Sequence, residues 1–297
     1  MALVPMQTLL ADARAGGYAV GYFEAWDSYS LEAVVEAAEE EQAPVVLGFG
    51  CLLVDGAWLE GGGIESLGCV GRRVAENARV PAAFLLNEAR TLDQALRGLE
   101  AGFTAVMMHG DGPSLGDSVD EVGTLVRAAH ARNAAVEGEL GTLPDATGGE
   151  IDATRASLTD PGEAAAFVDA TGIDCLAVSF GNVHLLQGRA APVDLDRLAE
   201  IHRRIPVPLA VHGGTSFPPE AVKEAIACGV AKFNVGTALK QAFLEGVLEA
   251  AGAAGRLGPH ELLGSHREAD MLEVGKRALV PVVRELVRLY GASGRAI

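Results

Sequence analysis

The sequence predicts an α/β protein of the (β/α)8 class, a TIM barrel, on three observations. Eight short aliphatic or β-branched runs recur along the 297 residues, and stretches with apolar residues at three-and-four spacing alternate with them. The runs are nearly continuously apolar, as strands of a parallel sheet covered by helices must be. No proline- or serine-rich linker and no break in composition divides the chain, so residues 1–297 are expected to form one domain.

In order, the predicted strands cover residues 19–22, 44–47, 82–86, 104–108, 134–137, 174–179, 208–211 and 232–235, and helical stretches such as 30–41, 92–101, 117–132, 161–171 and 218–228 lie between them. Thr159-Asp160-Pro161 sets a capping side chain before a proline at the first helical position, and Phe217-Pro218-Pro219-Glu220 does much the same. Gly102, Gly172 and Gly229 each follow a helical run and precede a strand, where a left-handed residue ends a helix at low cost. Residues 255–297 continue past the eighth unit as a helical extension, with 268–289 its main piece, expected to pack on the barrel or on a partner subunit.

Composition excludes several classes. Apolar residues make up 49%, too many for a disordered chain. The balance of 23 basic against 40 acidic residues, a net charge of −17, repels phosphate backbones and anionic membranes, so neither nucleic acid nor membrane is expected as a partner. A small anion is still acceptable where backbone N–H groups form a local nest. No 18-residue apolar run and no signal-peptide pattern occurs, which reads as a cytoplasmic protein. Cys51, Cys69, Cys175 and Cys228 are scattered without a CxxC pair and are expected to be reduced thiols.

Barrel chemistry gathers at the C-terminal ends of the strands. His184 follows the sixth predicted strand in Ser179-Phe180-Gly181-Asn182-Val183-His184, and His212 follows the seventh in Val211-His212-Gly213-Gly214-Thr215-Ser216. Two imidazoles at neighbouring strand ends point into one mouth, as a metal requires of histidine ligands. The loops Gly213-Gly214-Thr215-Ser216 and Asn234-Val235-Gly236-Thr237 each open into a helix, where free N–H groups and hydroxyls suit an anion such as phosphate.

These segments resemble the class II, metal-dependent fructose-bisphosphate and tagatose-bisphosphate aldolases. The resemblance spans nearly the whole chain, through Val136-Glu137-Gly138-Glu139-Leu140-Gly141, Leu158-Thr159-Asp160-Pro161 and Gly229-Val230-Ala231-Lys232-Phe233-Asn234-Val235 to Tyr290-Gly291-Ala292-Ser293-Gly294-Arg295. It implies a divalent metal on three strand-end ligands, two of them His184 and His212. It also implies a ketose phosphate bound at Gly181, Gly213, Gly214, Thr215, Asn234 and Thr237. In such an enzyme the metal polarises a ketone, a base removes the adjacent proton, and the enediolate adds to an aldehyde or the reverse cleavage occurs.

The chain departs from that pattern at its first four strand ends. The family's His-Leu-Asp-His reads Leu85-Leu86-Asn87-Glu88 here, which puts Glu88 at a metal-ligand position and Asn87 at that of the family's acid. A carboxylate in the ligand set makes Mn2+, Fe2+, Co2+ or Mg2+ more competitive with the Zn2+ that the resemblance implies. The alternative is a salt bridge from Glu88 to a nearby arginine such as Arg90, with no metal. Asn87 donates a hydrogen bond but transfers no proton. Glu24 replaces an asparagine, Gly50 a serine and His109 an aspartate, while in the phosphate loops Ser216 replaces a glycine and Gly236 an aspartate. His109 is the candidate replacement acid, or else a substrate hydrogen-bonder or plain loop residue. Thr147-Gly148-Gly149-Glu150-Ile151-Asp152 resembles the loop that carries the family's catalytic glutamate, making Glu150 the candidate base and Asp152 its alternative. Glu137 matches a family position that holds an alternative metal site; Glu139 shares its face only if the strand runs that far.

The expected function is therefore a metal-dependent aldolase-like lyase acting on a ketose phosphate, with Glu24 in a rebuilt aldehyde-side half. The alternatives are a sugar-phosphate isomerase or epimerase, and a non-catalytic sugar-phosphate-binding protein. Arg155 and Arg189 are candidates for a second phosphate, and the helical extension suits a homodimer or homotetramer.

Overall fold

In a computed structural model the eight strands close into a parallel barrel in sequence order, β1-β2-β3-β4-β5-β6-β7-β8. The structure describes residues 3–110, 115–144, 146, 150–152, 156–184, 186, 190–253, 255 and 257–296. Helix α1 (Met6–Gly16) leads into β1 (Val20–Ala25), α2 (Ser28–Glu40) and β2 (Val45–Gly50). A single turn α3 (Gly56–Trp58) then runs through a wider turn into α4 (Ile64–Asn77), followed by β3 (Ala82–Ala89), α5 (Leu92–Ala101), β4 (Ala105–Met108) and α6 (Leu115–His130). Next come β5 (Ala135–Leu140), α7 (Pro161–Thr171), β6 (Cys175–Val178), α8 (Leu195–Arg204) and β7 (Leu209–Val211). The chain ends with α9 (Val222–Ala227), β8 (Val230–Val235), α10 (Thr237–Ala253), a short α11 (Pro259–Leu262) and α12 (Met271–Leu289). Closure is made by β1 on β8, with Tyr22 opposite Asn234.

All eight predicted strands form, but four of them reach further toward the mouth than their apolar runs: β1, β2, β3 and β5 continue to Ala25, Gly50, Ala89 and Leu140. Of the added residues, Glu24, Gly50, Asn87 and Glu88 line the mouth instead of packing into the apolar core. Asp160 caps α7, its Oδ1 accepting from the N–H groups of Gly162 and Glu163 at 2.7 and 3.0 Å, with Pro161 first in the helix. Gly102 and Gly172 take φ of 97° and 71°, the left-handed helix ends read from sequence. The stretch 218–228 is not one helix: tandem prolines lack the N–H groups that a regular first turn uses, and a 3-10 turn at Pro219–Ala221 precedes α9.

The main helix of the extension starts at Met271, not at residue 268, because Asp270 is its cap and accepts from Leu272 N at 3.0 Å. Helix α12 packs against α10 and α2. Glu41, just past α2, receives Arg284 Nε at 2.8 Å, Arg288 Nη2 at 2.5 Å and the Ser293 hydroxyl at 2.7 Å. Beyond α12, Tyr290 stacks on Phe233 of β8 with ring centroids 4.5 Å apart, which seats the end of the chain on the barrel wall. Among the described residues no helix is long and apolar enough to cross a membrane.

Candidate active site

Three donors meet at the mouth. Glu88 Oε1 lies 3.5 Å from His184 Nε2 and 3.4 Å from His212 Nδ1, and one ligand atom from each residue falls within 4.8 Å of the others. Two ligands on a tetrahedral zinc at ~2.1 Å are ~3.4 Å apart, so the spacing fits a cation between them. The Arg90 alternative does not form: its guanidinium donates to the carbonyls of Leu52 and Val54.

Glu88 reaches this position through strained backbone. Its φ is 56°, in the left-handed region that a non-glycine residue enters at a cost of order 1 kcal/mol, and it sits where the β3–β4 register shifts between Leu86 and Ala89. A bulge there turns the side chain into the mouth. The two histidine-bearing segments are tied together by Asn182. Its side chain accepts from Phe180 N at 2.9 Å and donates to the carbonyls of Val178 and His212 at 3.2 and 3.0 Å.

Burial would raise the Glu88 carboxyl, but the hydrogen bond with His212 and the charges of both histidines outweigh it and bring it down to about 2. Burial pulls His212 down, and Glu137 and Glu88 more than reverse this, lifting it to about 9. His184, with burial dominant and only partly offset by Glu88, is lowered. The site thus favours a carboxylate, as metal ligation needs.

Glu137 stands behind His212, not beside Glu88. Its Oε1 is 3.0 Å from His212 Nε2, and its Oε2 accepts from Lys232 Nζ at 2.6 Å. Lys232 also donates to Asn234 Oδ1 at 2.6 Å and lies 5.1 Å from the Tyr22 ring centroid. Burial would raise the Glu137 carboxyl, and Lys232 first, then His212, lower it instead, so an ionised Glu137 accepts the Nε2 proton, and a cation at Nδ1 would take the place of the proton that His212, with its raised pKa, carries there. Asn234 Nδ2 is 2.8 Å from the same Nε2, a hydrogen bond only in the other tautomer.

A cavity of about 500 Å3 opens over these donors. Of the sequence-predicted residues, Glu24, Asn87, Glu88, His184, His212, Gly213, Thr215, Asn234 and Thr237 line it, and His109, Glu137, Glu150, Gly181 and Gly214 do not. Gly181 has φ of 104° and a Cβ there would meet Pro192 O at 2.2 Å, so it is needed for close packing of the loop. Thr215 Oγ1 accepts from Ala238 N at 3.2 Å and joins the two glycine-containing loops.

His109 follows β4, its Nδ1 3.4 Å from Glu139 Oε2, the oxygen that also accepts from Gly110 N at 2.8 Å. Strand β5 does run through Glu139, so Glu137 and Glu139 fall on one face of it. Glu150 is exposed; Thr147, Gly148 and Gly149 before it, like Arg155 and Arg189, lie outside the described residues. Two functional candidates were missed in the sequence. Lys232 stands two residues before Asn234 on β8, and Lys240, on the first turn of α10, donates to Glu24 Oε1 at 2.6 Å.

A closed parallel barrel with a carboxylate-and-histidine cluster at its mouth that could hold a metal ion is the arrangement of a class of metal-dependent barrel enzymes. The family model described as class II fructose-bisphosphate aldolase matches residues 4–295, and the chain belongs to that family. It is 35% identical over 322 aligned positions to a fructose-bisphosphate aldolase of Thermus caldophilus, covering 99% of this chain and 100% of the relative. It is 31% identical over 300 positions to a sulfofructosephosphate aldolase of Alkalicoccus urumqiensis, covering 100% and 99%. The solved structure of the YdjI aldolase from Escherichia coli K12 superposes with a TM-score of 0.81 at 25% identity, covering 99% of this chain and 100% of that one.

Proposed function

We propose that the chain is a metal-dependent lyase that reversibly cleaves a ketose phosphate into a dihydroxyacetone-phosphate-type fragment and an aldehyde. The observation that carries this reading is the donor set Glu88, His184 and His212 at the floor of a cavity also lined by Gly213, Thr215 and Thr237. Glu88, His184 and His212 would hold a divalent ion, and the ion would supply Lewis acidity for a ketone oxygen. Zinc is the choice by family, with Mn2+, Co2+, Fe2+ and Mg2+ favoured by the carboxylate.

The chain's own residues do the rest. Gly213, Thr215, Asn234 and Thr237 bind the phosphate through backbone N–H groups, a hydroxyl pair and the start of α10. Glu137 and Lys232 fix the His212 tautomer. Glu150 takes the proton beside the ketone, Asn87 donates a hydrogen bond to the aldehyde oxygen, and His109, held by Glu139, exchanges a proton with it. Leu244 and Leu248, both exposed on α10, offer a homodimer or homotetramer an apolar surface.

The test is a metal-replete screen of ketose phosphates and sugar-acid phosphates for retro-aldol cleavage, run beside solvent-deuterium exchange into dihydroxyacetone phosphate. Exchange with cleavage supports the lyase. Exchange without cleavage of any substrate favours an isomerase or epimerase, a reading supported by Asn87, which transfers no proton. No exchange with any metal favours a non-catalytic sugar-phosphate-binding protein.

A further inference from the structure

Glu24 fills a gap that two neighbouring strand ends leave. A Cβ on Gly50, at the end of β2, would lie 2.9 Å from Glu24 Oε2, and one on Gly236, just past β8, would lie 3.0 Å from the same oxygen. The three departures from the family at these positions are therefore one coordinated change: a longer carboxylate occupies the room of two shorter polar side chains. Lys240 holds the other oxygen, Oε1, at 2.6 Å and lies 5.8 Å from the Trp26 ring centroid. Oε2 is left turned toward Gly50 and Gly236, and all four residues line the cavity over the donor set.

The charges follow from this. Lys240 is the one lysine or arginine among the described residues of the lining, and it is already paired with Glu24, with Glu88 as a further carboxylate. A substrate anchored by one phosphate on the 213–215 and 237 loops would bring a second anionic group against a carboxylate whose cation is engaged. A hydroxyl would instead find an acceptor. Like-charge contact in a partly desolvated site is strongly disfavoured, whereas a hydrogen bond to a carboxylate is among the stronger ones.

We propose that the Glu24–Lys240 pair sets the substrate class of the site: a ketose monophosphate whose second fragment is an uncharged hydroxyaldehyde, with a second phosphate or a sulfonate rejected by Glu24. This rests on the aldolase reading above. In the condensation direction the carbon deprotonated beside the ketone forms the new C–C bond to the aldehyde carbon, and the aldehyde oxygen takes up one proton; cleavage reverses both, and no redox partner is needed.

The experiment uses the full chain, metal-replete, with dihydroxyacetone phosphate as donor and three- and four-carbon hydroxyaldehydes as acceptors, each free and phosphorylated. Deuterium exchange into the donor is followed in the same preparation. The wild type is expected to favour the free aldehyde in kcat/KM by about tenfold or more, and Glu24→Gln to shrink that ratio about tenfold by raising use of the phosphorylated one. Lys240→Met, which leaves the carboxylate uncompensated, widens the ratio. Should Glu24→Gln not fold, Glu24→Asp, which keeps the charge, is expected to keep the preference. Preference for the phosphorylated aldehyde, a ratio that Glu24→Gln leaves unmoved, a preference lost in Glu24→Asp, or condensation of neither aldehyde overturns the assignment while exchange leaves the aldolase reading standing. Absence of exchange overturns both.

Discussion

Lys232 Nζ lies 2.6 Å from Glu137 Oε2, with both side chains fully buried inside the barrel. A carboxylate in such a place is tolerable only while its cation is present, because removing one partner leaves an uncompensated buried charge. Lys232→Met should therefore lower stability by about 3–5 kcal/mol in denaturant titration. It should also weaken metal binding by about 10–100-fold in a chelator competition, since Glu137 orients His212. Lys232→Met combined with Glu137→Gln should recover part of the stability and none of the metal affinity. A single variant as stable as the wild type would show that Glu137 is not ionised.

Glu88 is the proposed ligand that sequence resemblance left most open. Glu88→Ala removes one of three donors, and metal content by elemental analysis is expected to fall below about a tenth of the wild-type value, second-sphere changes alone being worth 10–100-fold in affinity. Glu88→His, which restores the family's residue, should retain metal. Unchanged metal in Glu88→Ala would mean that the ion sits elsewhere.

The eight-unit alternation was legible because apolar strands and amphipathic helices differ in period. Polar residues at the mouth were harder to read. The run 82–86 stops at Asn87, yet β3 continues to Ala89, since Asn87 and Glu88 belong to the strand and face the site. Lys232 and Lys240 look like solvated lysines in sequence. Their partners Glu137 and Glu24 are 95 and 216 residues away, a distance no local pattern spans. Helix α1 could have been found, because Met6, Leu9, Leu10 and Ala13 are buried at helical spacing. The strain at Glu88 could not, because its residue type is not one that marks a left-handed position.

The grip of Glu41 on the C-terminal extension carries a pH dependence. The Arg288 hydrogen bond, ahead of opposing burial and helped by Arg284 and Ser293, lowers its carboxyl from 4.5 to about 2. A folded-state pKa below the unfolded one means that the unfolded chain binds the proton first. The stabilisation is thus complete above pH ~4.5 and is lost as pH falls from there toward about 2. With half-exposed arginine partners and salt screening, the contribution is about 1 kcal/mol. Glu41→Gln should reduce stability by that amount at neutral pH and flatten this part of the acid limb. Parallel curves for the two proteins between pH 5 and 2 would refute the assignment.

The two half-reactions should separate by mutation. Glu150, on the loop after β5, is proposed to act on the carbon beside the ketone, and His109, at the end of β4 with Nδ1 3.4 Å from Glu139, on the aldehyde oxygen. General acid–base groups contribute about 10²–10⁴-fold. Glu150→Gln should therefore suppress both deuterium exchange into dihydroxyacetone phosphate and cleavage by about 100-fold or more. His109→Asn should suppress cleavage by a similar factor while exchange stays within a few-fold of wild type, because enediolate formation precedes any contact with the aldehyde. Exchange undiminished in Glu150→Gln would move the base to Asp152, and unimpaired turnover in His109→Asn would remove His109 from the mechanism.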